Sequence, residues 1–287
     1  MKKFIKFLKL LTPPIFLKVI VNNKTFPVRT FKTYDEAIDF CDSYSNQDLV
    51  KVIAAKGLIF KNKIQNEKVD FTNYDHTQLL KLLLINTSYE NVDKEICILD
   101  FGGGAGHHYF ITRKIISKDI KLKWIVFETP ELVEECKILG IENEELSFIS
   151  SFDEKVFENT KFDIIYSNYS LVYTPSPIDY LEKLLKLDFA KFYITNTALN
   201  EKENISVVGI QKSDLSTNGV GRQIPDTLKI KNMDIQYPFT VIGKEDFEKL
   251  IKKYTDIVFS IREQKEAYVT EKGIFNLYGY LLIKKNS

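Results

Sequence analysis

The stretch that decides how this chain folds is Ile98–Phe110, ILDFGGGAGHHYF. An apolar run ends in Asp100, glycine fills four of the five positions from Gly102 to Gly106, and two histidines follow. Glycine reaches backbone angles closed to other residues and lets another group approach the main chain closely. A helix that starts there presents free N–H groups and a partial positive charge. Outward from this turn, short β-branched or aromatic runs alternate with helical stretches. Residues 96–101, 123–128, 146–150, 162–168 and 191–197 read as strands, with helices at 106–118, 130–139 and 176–187 between them. Such alternation predicts an α/β domain with a mostly parallel sheet and helices on both faces. A helix at 244–255 precedes strands at 256–263 and 277–285, whose short connection predicts a final antiparallel hairpin. Upstream, residues 1–90 read as a helical N-terminal extension. TYDEAIDFCDSY (33–44) opens on a Thr33/Glu36 capping box, and NYDHTQLLKLLLINTSY (73–89) carries a leucine-rich face.

The 287 residues are 44% hydrophobic and 28% charged, a globular composition. A formal net charge of +1 lacks the strongly basic footprint of a general nucleic-acid binder, and no nucleic-acid partner is expected. Cys41, Cys97 and Cys136 form no CxxC pair, which suits a reducing cytoplasm. Only three histidines are present, which speaks against a His/Cys metal cage. No apolar stretch reaches the ~18 to 20 residues of a spanning helix. The basic start MKKFIKFLKLLTPPIFLKVIV (1–21) interleaves lysines with apolar residues, and Lys6 and Lys9 break the apolar centre of a signal peptide. A first helix packed on its own domain is the preferred reading. The alternative is a helix lying on the inner membrane surface as a peripheral contact.

Two cofactor classes use a strand, a glycine turn and a helix in this order. The dinucleotide fingerprint GxGxxG, begun at Gly102, requires glycine where His107 stands. The pattern DxGxGxG is filled at every position by Asp100, Gly102, Gly104 and Gly106. With it the chain resembles the class I S-adenosylmethionine (SAM)-dependent methyltransferases over roughly residues 95–285. The resemblance implies a Rossmann-like, seven-stranded sheet and SAM as cofactor, with S-adenosylhomocysteine (SAH) as product. It also implies cofactor contacts from Asp100, Gly102, Gly103 and Gly104. WIVFE ends in Glu128, 24 positions after Gly104, where a carboxylate at a strand tip can accept both ribose hydroxyls. By position, Ser150, Ser151 or Phe152 falls by the adenine. Ser167, Asn168 and Tyr169 fall at the carboxyl end of the fourth strand, where open α/β sheets bind ligands. Phe127 and Tyr169 offer rings to the adenine or the sulfonium.

More narrowly, LKLLTPPIFLKVI, YDEA, DFGGGAG with YF after it, ETPELVE and YPFTVI occur in that order. In these the chain is similar to a family of methyltransferases from bacterial surface-polysaccharide and lipopolysaccharide gene clusters. That likeness implies cytoplasmic O-methylation of a sugar, a sugar nucleotide or a capsule or lipopolysaccharide precursor. The pair His107–His108 departs from the small polar residues common there. A hydroxyl acceptor must lose a proton, and histidine suits that task near neutrality. His107, opening the helix after the glycine loop, is the first candidate base, and His76, opening the helix that leads into the domain, is the second. The stretch from Asn200 to Val241 exceeds ordinary loop length and reads as a substrate lid near 200–241. Arg222 within it is a candidate anchor for a phosphate or carboxylate of the acceptor, and Tyr173 a further acceptor contact. Residues 91–287 then form the cofactor-binding domain, and residues 1–90 cover its site. Two other readings stay open: a small-molecule O- or N-methyltransferase of another pathway, and a non-catalytic SAM-binding subunit.

Overall fold

A computed structural model describes residues 28–66, 95–153, 155–158 and 160–285. The basic stretch 1–21 and the expected 73–89 helix, His76 included, lie outside the described residues. β1 (Thr30–Phe31) and α1 (Tyr34–Ile38) lead to α2 (Gln47–Asn66). β2 (Ile96–Phe101), α3 (His107–Ile115), β3 (Leu122–Phe127), α4 (Pro130–Ile138), β4 (Leu146–Ile149) and β5 (Phe162–Asn168) then alternate. α5 (Pro177–Lys186) precedes β6 (Phe189–Asn200), β7 (Val207–Asp214) and β8 (Asp234–Gly243). α6 (Lys244–Tyr254) and the hairpin β9 (Thr255–Thr270) and β10 (Gly273–Lys284) close the chain.

The parallel run is β4-β3-β2-β5-β6, β10 adds antiparallel to β6, and β9 pairs β10 antiparallel. This is the expected α/β architecture with its terminal hairpin. The expected count of seven strands is corrected to ten among the described residues. The added strands are β1, β7 and β8, and the last two lie in the stretch expected to be a lid. β7 and β8 pair antiparallel from Val207↔Val241 to Asp214↔Asp234, and β1 lines the outer edge of β7. β8 meets β6 only at Ile242 and Gly243. At Pro238 it has a strand on one side only, where a missing N–H is tolerated.

Side chains alternate across the sheet, as strand geometry requires. Ile96, Ile98, Trp124 and Val126 enter a core shared with α2, α3 and α4. Cys97, Leu99, Phe101, Ile125 and Phe127 enter the opposite core, shared with α5 and α6. α2 contributes Leu49, Val52, Ala54, Phe60 and Ile64 to the first core, so this part of the N-terminal extension packs against α3 and α4. Full burial of one such large side chain contributes about 1.5–3 kcal/mol. Two caps fix helix entries near the strand ends. The Thr33 hydroxyl accepts from Glu36 N–H at 3.1 Å, and the Thr129 hydroxyl accepts from Leu132 N–H at 3.4 Å with Pro130 opening α4. Among the described residues no helix is long and apolar enough to cross a membrane.

Candidate functional site

The turn after β2 closes tightly on its neighbours. Gly102 N–H donates to Phe127 O at 2.8 Å, and a Cβ on Gly102 would fall 2.1 Å from the Ser170 hydroxyl. Gly104, at φ +59°, is different. An added Cβ would meet nothing nearer than His107 Nδ1 at 3.9 Å, so its missing side chain leaves open space on the cleft floor.

Asp100 was expected to contact the cofactor, and the structure corrects this. Its parity on β2 sends it to the face of Trp124, and it is fully buried beneath the turn. There its carboxylate accepts from Trp124 Nε1 at 3.2 Å and pairs with His108 Nδ1 at 3.1 Å. Gly103 is likewise buried below the cleft, its absent Cβ making room for the Asp100 carboxyl group 2.5 Å away. The aspartate therefore braces the loop from below, and the acid that meets the cleft is Glu128. Its Oε1 accepts from Gly104 N–H at 2.9 Å and its Oε2 from Thr129 N–H at 3.1 Å. Burial pushes the Glu128 carboxyl up from its ordinary value, and these two backbone N–H bonds offset part of the rise.

Two cavities open at the strand ends and share Tyr44, Gly102, Glu128 and Thr129. The first, of about 410 Å³, is walled by Phe101, Phe127, Asn168, Tyr169, Tyr173 and Ser150, among others. The second, of about 330 Å³, lies over Gly104, Ala105 and His107, under the loop Asn218–Gly221. The sequence therefore located Gly102, Gly104, Glu128, Asn168, Tyr169, Tyr173 and His107 on the cleft. Ser151 and Phe152 do not line it. Ser151 turns its hydroxyl to Asp153, and Phe152 packs behind Phe127 with ring centroids 4.6 Å apart, leaving Ser150 on the wall. Arg222 is exposed one residue beyond Gly221 and lines neither cavity.

The titrating groups are tuned mainly by burial. The His107 imidazole is held well below its ordinary range, first by desolvation and then by His108, whose ring centroid lies 3.9 Å away. It is therefore neutral at pH 7. Burial raises the Tyr173 hydroxyl well above its ordinary value, so Tyr173 remains a neutral phenol bonded to Gln211 at 2.8 Å and Tyr268 at 3.1 Å.

Two residues that matter here, Tyr44 and Lys56, were missed by the sequence reading, and a third, His108, was named there without a role in the site. Tyr44 stands between the cavities and packs on Tyr237 and Tyr173, at 4.4 and 5.2 Å between ring centroids. His108 carries the Asp100 brace. Lys56 of α2 is 4% exposed, and its ammonium donates to the carbonyls of Ser216, Asn218 and Gly221 at 2.7, 2.7 and 3.3 Å, tying the cavity roof to the helix. A lysine inside the apolar run VIAAKGLIF (52–60) is the signal that could have found it.

No protein-family model and no curated protein sequence matches the chain. Among solved structures it is similar to a SAM-dependent methyltransferase from Clostridium acetobutylicum, at 16% identity and TM-score 0.43 over 79% of this chain and 97% of that one. It is also similar to the CcbJ methyltransferase from Streptomyces caelestis, at 9% identity and TM-score 0.45 over 82% of this chain and 99% of that one. A third is the magnesium protoporphyrin IX methyltransferase from Synechocystis with bound SAM, at 11% identity and TM-score 0.41 over 80% and 91%. These likenesses are distant, and the case for function rests on the cleft.

Proposed function

We propose that the protein is a SAM-dependent O-methyltransferase. The observation that carries the reading is Glu128, a half-buried carboxylate at the tip of β3, at the junction of two cavities and bonded to the N–H of the glycine turn. When bound, SAM supplies an electrophilic methyl group on a sulfonium. Glu128 would accept the two ribose hydroxyls, and the open space above Gly104 fits a ligand pressed against bare backbone. Phe101, Phe127 and Tyr169 give the first cavity flat faces for an adenine. The second cavity, with Gly104 and the start of α3, suits the charged amino-acid end of the same cofactor. His107, neutral and on that wall, is free to take a proton from an acceptor hydroxyl, and His76 remains the second candidate.

For the acceptor we favour a hydroxyl of a sugar or surface-polysaccharide precursor. Its support is the segment-by-segment resemblance and a wall of tyrosine rings, Tyr34, Tyr44, Tyr169, Tyr173 and Tyr180, suited to the flat face of a pyranose. Among the described residues lining the two cavities, Glu128 and Glu131 are the only carboxylates, and no lysine or arginine stands with them. That makes a neutral sugar unit a better fit than a sugar nucleotide, whose diphosphate would meet no cation among the described residues of the two cavities. Incubation with SAM and parallel panels of neutral glycosides and nucleotide sugars tests this by mass spectrometry. A gain of one CH₂ on a neutral glycoside is expected, and methylation of nucleotide sugars alone would overturn the acceptor assignment.

A further inference from the structure

Two residues with side chains adopt left-handed backbone where β5 and β6 approach the cleft, Tyr169 at φ 61° and Asn196 at φ 53°. Such conformations persist only where the surroundings hold them, and they cluster at functional sites. Tyr169 is held by its N–H, which donates to Thr195 O at 3.2 Å. Asn196 is held from further off. Its N–H and the Thr195 hydroxyl both donate to the carboxylate of Glu263, and the Tyr193 hydroxyl lies 3.5 Å from the same group.

Glu263 belongs to β9, which forms no ladder with β6, because β10 lies between them and pairs with both. The carboxylate crosses β10 at Gly279, where an added Cβ would sit 2.9 Å from its carboxyl carbon and Oε1. The β10–β6 register breaks between Tyr278 and Tyr280, around that glycine. A bulge and a bare backbone thus let one acid reach over a whole strand. Its hold is passed on, because Asn196 Nδ2 donates to Asn168 Oδ1 at 2.8 Å. With Oδ1 engaged, Asn168, which lines the first cavity, has its Nδ2 amide to offer a ligand.

We propose that Glu263 is a positioning residue that, through Asn196, fixes Asn168 with a side-chain N–H donor turned to the cleft. Such a donor pairs with an oxygen lone pair of a hydroxyl, ether or carbonyl. It has nothing to offer an ammonium group, which carries donors only. Resting on the methyltransferase reading for what enters the cavity, this places a hydroxyl, ether or carbonyl oxygen of the bound ligand against Asn168. The lock itself is independent of that reading.

The test is hydrogen exchange at the asparagine side-chain amides of the full-length ¹⁵N-labelled protein, read by NMR. In the wild type the Asn196 Nδ2 and backbone N–H groups should be protected, and the Asn168 Nδ2 protons should exchange freely. An alanine at 263 removes both acceptor oxygens, leaving Asn196 N–H and the Thr195 hydroxyl without the carboxylate that holds them. Glu263→Ala should therefore speed Asn196 exchange about tenfold or more while the β2 and β3 amides stay protected. Gly279→Ala, which keeps the charge and displaces the carboxylate, should do the same. Unchanged Asn196 exchange in both variants, or an Asn168 Nδ2 group as protected as that of Asn196, would overturn the lock. Failure of the wild type to bind SAH would count against the methyltransferase reading instead, so the two are scored separately.

Discussion

Replacing Lys56 by methionine keeps the apolar stem of the side chain and deletes the ammonium that holds the roof of the second cavity. Bonds from a charged donor contribute ~1.5–3 kcal/mol each. The two at 2.7 Å, to Ser216 O and Asn218 O, therefore supply about 3–6 kcal/mol. Against them stands the desolvation of a buried ammonium, of order several kcal/mol, which methionine escapes. That burial is also what lowers the Lys56 pKa from its ordinary value, with Asp214 opposing the shift. The net expectation for Lys56→Met is a loss of about 1–3 kcal/mol, since the orphaned carbonyls regain water only in part. At about 2–4 °C per kcal/mol for a chain of this size, the melting temperature should fall by roughly 2–12 °C. The loss should be local as well as global. Hydrogen exchange read by mass spectrometry should show residues 215–221 opening far more readily, with the β2 and β3 amides last to follow. An unchanged melt together with unchanged exchange in 215–221 would refute the reasoning. It would mean that the Asp214–Ser216 turn bonds hold the roof unaided.

Gly104→Val should abolish SAH binding in calorimetry, because its side chain fills the open cleft and its φ of +59° strains a β-branched residue; wild-type affinity would remove Gly104 from the site. His107→Ala should lower turnover on the true acceptor by ~10² or more with SAH affinity nearly unchanged. A base works unprotonated, so activity should fall as pH drops through the His107 pKa. Since burial and His108 lower that pKa, the acid limb of kcat/KM should lie below the ordinary histidine range. If His107→Ala and His76→Ala each keep more than about a third of wild-type turnover, no histidine is the base.

The parallel core of the fold was legible because its signals are local. The runs at 96–101 and 162–168 coincide with β2 and β5, and the glycine turn announces its own backbone. Glu128 was legible because a strand end and a fixed spacing place it beside the turn. Asp100 was misassigned because its direction depends on strand parity and on the partners Trp124 and His108, which a motif does not encode. The stretch holding β7 and β8 was read as a lid on its length, and Pro238 and the polar positions of QKSD (211–214) hide its strand alternation. Only the long-range pairing with β7 and β1 makes them strands. Lys56, Tyr44 and Glu263 act across separations of many residues, and their roles exist only once the chain is folded.

The central claim is that Glu128 holds the cofactor ribose, and calorimetric titration of SAH into wild type and Glu128→Ala tests it most directly. Loss of charge-assisted hydrogen bonds of ~1.5–3 kcal/mol should weaken binding roughly tenfold or more. Two hydroxyl donors require the ionised carboxylate. Because burial raises its pKa above 4.5, wild-type affinity should decline on acidification at a higher pH than for an ordinary glutamate, and Glu128→Gln should lack that decline. Wild-type SAH affinity in a folded Glu128→Ala protein, or tighter binding of NAD than of SAH by the wild type, would contradict the account.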